Sequence, residues 1–188
     1  MASVRSDPLQ TDLARMETHS RNFIAEQVVK LLGFAAGCRP ATFSCGLAVI
    51  RQTMRRFGVD PECTRLENGS GLFSADEVSP AQVVRFLLST LNRKDIAGPF
   101  LKTLAIGGKT GTLKDLLKNV KRPVLAKTGT LDDVSALAGI IDRGEGRTIV
   151  FAILMNGCSD NSTEEIRNVQ DRMVGRLAKW GQPDKKRH

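Results

Sequence analysis

The triplet Lys127-Thr128-Gly129 places a cation, a hydroxyl donor and a residue without a side chain in consecutive positions. On the exposed edge of a β-strand these types suit peptide binding. The lysine projects positive charge into a groove, the threonine hydroxyl donates to a carboxylate, and the glycine lets an extended peptide pair with the strand backbone. The same residues also fit a plain strand end with a solvent-facing lysine, so their placement decides. A second set, Ser20-Arg21-Asn22, puts a hydroxyl and a carboxamide two positions apart in a polar stretch. The pentapeptide KTGTL around the triplet occurs twice, at 109–113 and at 127–131.

The elements around these residues follow from periodicity. Leu9, Leu13 and Met16 predict a helix, His19-Ser20-Arg21 a break, and Phe23, Ile24, Val28, Leu31 and Leu32 a second helix closed by Gly33 as its C-cap. Leu47, Ile50, Met54 and Phe57 predict a third helix, stopped by Gly58. ENGSGLFS (67–74) reads as a tight turn, and Ser79-Pro80 as the start of a helix carrying Val84, Leu87, Leu88 and Leu91. The first KTGTL precedes Leu113, Leu116, Leu117 and Val120, a helical period that makes Thr110 or Thr112 a cap. The second follows the strand-like Pro123–Ala126. Turns at Asp132-Asp133 and at 142–147 then separate it from Val134–Ile141 and from TIVFAILM (148–155), giving a three-strand antiparallel meander. A final helix starts at the capping box Ser162-Thr163-Glu164-Glu165 and shows Ile166, Val169, Met173, Leu177 and Trp180 on one face. The two pentapeptides thus fall in different elements, and nothing else repeats at that offset.

Composition bounds the rest. The chain has 188 residues, 41% hydrophobic and 26% charged, which suits one globular domain or a piece of one. No apolar run is long enough to span a membrane, and the first twenty residues lack the pattern of a secretory signal, so the chain as written is expected to stay in the cytoplasm. The net charge is +8, scattered, with its densest groups at Arg51/Arg55/Arg56, Lys118/Lys121/Arg122 and Lys185/Lys186/Arg187. Residues 181–188 read as a basic disordered tail. With no tyrosine, 5% aromatics and no recognised nucleic-acid motif, nucleic acid is not expected as a partner. Cys38, Cys45, Cys63 and Cys158 have no CxxC spacing, and His19 and His188 sit near the ends, so no metal or cofactor is expected. Free thiols are the default, with a Cys38–Cys45 bridge left open.

Ser-x-Asn followed by Lys-Thr-Gly belongs, with Ser-x-x-Lys, to the motif set of serine penicillin-interacting enzymes. The chain resembles the D-alanyl-D-alanine carboxypeptidase/endopeptidase family of low-molecular-weight penicillin-binding proteins, peptidase family S13. HSRNFIAE (19–26), ENGSGL (67–72), LAKTGTLDDVSALAG (125–139) and TIVFAILMNG (148–157) carry the likeness in the family's order, over roughly residues 8–178. The resemblance implies an α+β fold, the C-terminal part of the β-lactamase/penicillin-binding transpeptidase-like fold, with the meander flanked by helices. Residues 1–180 would then be a partial domain lacking its N-terminal half.

It also implies the site roles. Ser20 would relay protons toward the leaving amine, Asn22 would hydrogen-bond the substrate amide, and Lys127 would hold a positive field. Thr128 would bind the terminal carboxylate of a D-Ala-D-Ala peptide, Gly129 would leave room for the peptide, and the Thr130 N–H would give half of an oxyanion hole. Lys109, in the family's Gly-Thr-Leu turn, would be incidental. The implied ligands are the peptidoglycan stem peptide or a β-lactam, and the implied location is the periplasm or cell envelope.

The sequence departs from the pattern at the nucleophile, since no serine in it has lysine three residues later. Loss of such a serine typically costs on the order of a million-fold, so the isolated chain is expected to be inactive. The alternatives are a non-catalytic peptidoglycan-peptide binding module or a gene remnant. TIVFAILM reads as a central strand paired on both sides, with its far neighbours in the missing half. A complementary N-terminal fragment or self-association would cover that edge. Asn68, where the family usually has aspartate, and Phe73, in place of a small polar residue, also depart from the family.

Overall fold

A computed structural model of the chain describes residues 6–74, 76–157 and 162–180. Cys158, His188 and the 181–188 tail lie outside the described residues. Helices α1 (Leu9–His19), α2 (Asn22–Ala35), α3 (Phe43–Arg56), α4 (Pro80–Leu91) and α5 (Lys94–Leu101) come first. The strands β1 (Ala105–Ile106), β2 (Val124–Thr130), β3 (Val134–Asp142) and β4 (Thr148–Asn156) follow, and α6 (Thr163–Lys179) ends the fold. The sheet is antiparallel, in the order β1-β2-β3-β4. The α+β class and the meander stand as expected from the sequence, with β1 added at one side. Its two residues are too few to show a period.

The two faces of the sheet bury different partners. Val124, Ala126, Leu137, Ile141, Phe151 and Ile153 form the main core with Leu113, Leu117 and the Val174/Ala178 side of α6. On the other face Ile140 is buried, and α4 packs on β3 and β4, burying Leu87 and Thr90. The α6 seam is Ile166, Gln170, Val174 and Ala178. This corrects the expected stripe: Met173 and Trp180 are exposed. The seam is turned because Gln170, polar but buried, bonds Ser135 Oγ at 3.1 Å and draws that face onto β3. Among the described residues β4 has no strand on its outer edge, the open edge expected of this strand in a chain without its far neighbours.

Three other expectations change. Gly33 does not cap α2, which runs on to Ala35. Gly33 is instead buried where α3 crosses, and a Cβ on Gly46 would sit 2.0 Å from Val29 O. No helix follows Leu113. A 3-10 turn, Gly111–Leu113, gives way to turns, with Leu117 at φ 63 and its N–H bonded to the Asp171 carboxylate of α6 at 3.1 Å. The apolar spacing there reflects core contacts made by irregular chain. The Thr110 hydroxyl accepts from Ile106 N at 2.8 Å instead of capping. Cys38 and Cys45 form a disulfide with Cα atoms 6.7 Å apart, while Cys63 is free and exposed.

The end of α1 is pinned to the sheet side. Thr18 Oγ1 donates to Thr103 O at 2.8 Å. Gly111 lies so close that a Cβ on it would meet Thr18 O at 2.0 Å, and its φ of +53 disfavours any side chain. Gly111→Ala is therefore expected to destabilise the chain by about 2–3 kcal/mol in urea unfolding. Gly175→Ala, in a helix with open space around it, should gain about 0.5–1 kcal/mol.

Candidate functional site

Ser20 ends α1 in the left-handed conformation (φ 53, ψ 53), and Asn22 opens α2 two residues later. This break turns the Ser20 hydroxyl out of both helices toward β2. There Lys127 Nζ donates to Ser20 Oγ at 2.8 Å, across 107 positions of sequence. The ammonium also donates to the Thr128 carbonyl.

The edge of β2 opens at the same point. β1 pairs only with Leu125 and Ala126, so Lys127–Thr130 run on without a strand beside them. Hydrogen-bond parity tells which groups face that edge. Leu131 and Val134 exchange backbone bonds, and Asp142 N donates to Pro123 O, so the odd-numbered residues of β2 bond β3. The backbone N–H groups of Thr128 and Thr130 therefore point to the free edge. A Cβ on Gly129 would meet only Ala136 Cβ, at 3.4 Å, so the open side of the strand there is clear.

The turn 67–72 closes the cavity from a third side. Glu26 of α2 accepts the Ser70 N–H at 2.9 Å and the Gly69 N–H at 3.3 Å, joining two of the segments singled out in the sequence. Asn68 Oδ1 accepts from Gly71 N at 2.7 Å and Ser70 N at 3.0 Å, and its Nδ2 donates to Leu72 O. Asparagine at this position thus closes the turn by itself. Phe73 stands out of it at φ 66, 90% exposed. The cavity, about 330 Å³, is lined among others by Glu17, Ser20, Asn22, Gly69, Ser70 and Lys127. Asn22 makes no side-chain hydrogen bond among the described residues and leaves its carboxamide free toward this space.

Two residues of the site were not found from the sequence. Glu17 lies one turn before Ser20 on α1 and faces the same cavity, a spacing that could have revealed it. Burial pushes the Lys127 ammonium below its ordinary pKa and Glu17 partly offsets this; burial raises the Glu17 carboxyl, which Lys127 partly offsets. Thr112, in the first KTGTL, accepts a 2.8 Å hydrogen bond from Thr128 Oγ1, in the second. Lys109 is exposed, and its side chain has no partner among the described residues.

Comparison with known proteins gives the family and the fold. Residues 1–180 match the model of the family described as D-Ala-D-Ala carboxypeptidase 3 (S13). The chain is 29% identical over 172 residues to the D-alanyl-D-alanine carboxypeptidase DacB of Haemophilus influenzae, over 87% of this chain and 35% of that protein. It is 31% identical over 188 residues to a D-alanyl-D-alanine carboxypeptidase of an Actinomadura species, over 96% of this chain and 34% of that protein. It thus spans about a third of the length of these curated relatives. Penicillin binding protein 4 (dacB) of H. influenzae, solved with a β-lactam, superposes with a TM-score of 0.79 at 27% identity, over 91% of this chain and 42% of that one. The TLA-1 extended-spectrum β-lactamase shares the fold, with a TM-score of 0.63 at 17% identity over 91% of this chain and 62% of that one.

The depressed pKa of Lys127 fixes the sign of its pH effect. Below 10.5 the unfolded chain holds this proton more readily than the folded one, so this lysine's contribution to stability rises with pH and is complete above 10.5. Relative to Lys127→Met, wild type should gain unfolding free energy as pH climbs toward 10.5. A pH-independent difference in denaturant titrations would place the ammonium in full solvent.

Proposed function

The chain belongs to the D-Ala-D-Ala carboxypeptidase 3 (S13) family, and from that premise we propose that it forms the wall and rim of a peptide groove in a serine D-Ala-D-Ala peptidase of the cell envelope. The observation that carries this reading is the 2.8 Å contact between Lys127 Nζ and Ser20 Oγ beside an unpaired stretch of β2. A D-Ala-D-Ala stem peptide, or a β-lactam in its place, lies along Lys127–Thr130 as an added strand. The Thr128 hydroxyl turns its proton from Thr112 to the peptide's terminal carboxylate, in the field of Lys127. The peptide's amide meets Asn22, and the Thr130 N–H faces the reacting carbonyl oxygen. Ser20, held by the ammonium, passes a proton to the leaving amine.

The attacking serine comes from elsewhere, because none of the 188 residues forms a Ser-x-x-Lys motif. The chain alone therefore binds without acylation, and a complementary segment carrying that motif completes the enzyme. The outer edge of β4, unpaired among the described residues, is the place for that segment's strand, or for self-association in its absence.

A fluorescent penicillin and a D-Ala-D-Ala peptide test this together. The chain alone should show no covalent label, yet bind the peptide reversibly. Thr128→Val and Lys127→Ala should each weaken that binding by about tenfold or more, the loss of a hydrogen bond to a charged group. Co-expression with a segment bearing Ser-x-x-Lys should restore labelling, on that segment. A covalent label on a serine of the isolated chain, or peptide binding indifferent to both substitutions, would overturn the reading.

A further inference from the structure

A second concave region shares no lining residue with the peptide groove. It is a cleft of about 780 Å³ between residues 119–122, just before β2, and the last two turns of α6. Its walls carry Lys121, Arg122, Arg172, Arg176 and Lys179. None of these five cations has an ion pair or hydrogen-bond partner among the described residues. The one carboxylate in the cleft, Asp171, is turned inward and accepts the Leu117 N–H with both oxygens. The cleft therefore keeps its positive charge, on a chain already at +8.

Large apolar side chains stand beside the cations on the same helix. Trp180, immediately after α6, is 72% exposed, and Met173, one residue past Arg172, is 43% exposed. On a helical wheel Arg172, Arg176 and Lys179 form a stripe. Met173 and Trp180 border it on the side leading toward the buried seam. Lys185, Lys186 and Arg187 follow in the sequence. A solvated basic face has no use for an exposed tryptophan, and a phosphate-binding cleft for a small ion has none either. Cations beside a tryptophan and a methionine match the surface of an anionic bilayer, where headgroup phosphates take the charges and the indole lies at the acyl boundary.

We propose that the cleft between residues 119–122 and the C-terminal half of α6 docks this chain on membranes of anionic lipid, with Trp180 and Met173 as apolar anchors. The attachment is peripheral: among the described residues no helix is long and apolar enough to cross a membrane. It does not depend on the peptidase reading.

Trp180 is the chain's one tryptophan, so its emission reports the contact directly. The full chain should sediment with phosphatidylcholine vesicles containing phosphatidylglycerol, with a blue shift of tryptophan emission, and with neither effect on pure phosphatidylcholine. Binding should vanish when salt shortens the Debye length to about 3 Å. Arg172→Glu/Arg176→Glu, at exposed positions and with unchanged circular dichroism, should lose at least about tenfold in vesicle affinity. Trp180→Ala should bind more weakly than wild type. Equal binding to neutral vesicles, wild-type binding by the double charge reversal, or binding to polyphosphate or duplex DNA without binding to anionic vesicles would each overturn the proposal.

Discussion

The contact between the Lys127 ammonium and the Ser20 hydroxyl ties the break between α1 and α2 to β2, and the geometry of the groove depends on it. It requires a helix end in a conformation that residues with a Cβ seldom adopt. Ser20 accepts φ 53 there, at a cost of about 1–2 kcal/mol. That cost is met because both sides of the break are held. Upstream, Thr18 and Gly111 fix α1 against the sheet. Downstream, Glu26 of α2 ties to the 67–72 turn. With both helices anchored, the break can only point its hydroxyl toward β2.

The sheet meets this from the other side through the shortness of β1. Two residues of β1 are enough to set the position of β2, and they stop before Lys127. Beyond them the N–H groups of Thr128 and Thr130 face outward without a strand, while the Thr128 carbonyl takes the Lys127 ammonium, and such an edge is a template for another extended chain. The lysine beside that edge is partly desolvated, with Glu17 near enough to favour its charge. The cavity thus carries a cation balanced by an acid that makes no ion pair with it within 4 Å. Such a field remains available to a ligand carboxylate.

Much of this arrangement could be read in the sequence. The polar break at His19-Ser20-Arg21, the Ser79 and Ser162 caps, and the three β-branched runs of the meander each carry a local signal, and each appears in the fold. What the sequence hid was non-local. Leu113 and Leu117 have helical spacing, yet they are core residues of irregular chain held by Asp171, 54 positions away. Gly33 sits where a helix stop would sit, but its meaning is the crossing of α3. The face of α6 was turned by Gln170, whose burial rests on Ser135. Thr112 entered the site through a partner on another element, and the repeated pentapeptide proved to be two halves of one hydrogen bond.

The most direct measurement is a double-mutant cycle between Ser20→Ala and Lys127→Met, read as unfolding free energy at neutral pH. If the helix break and the strand edge meet as described, the two substitutions are coupled by about 0.5–2 kcal/mol. Effects that simply add, within about 0.3 kcal/mol, would mean that residues 20 and 127 do not touch, and the groove built on their contact would not exist.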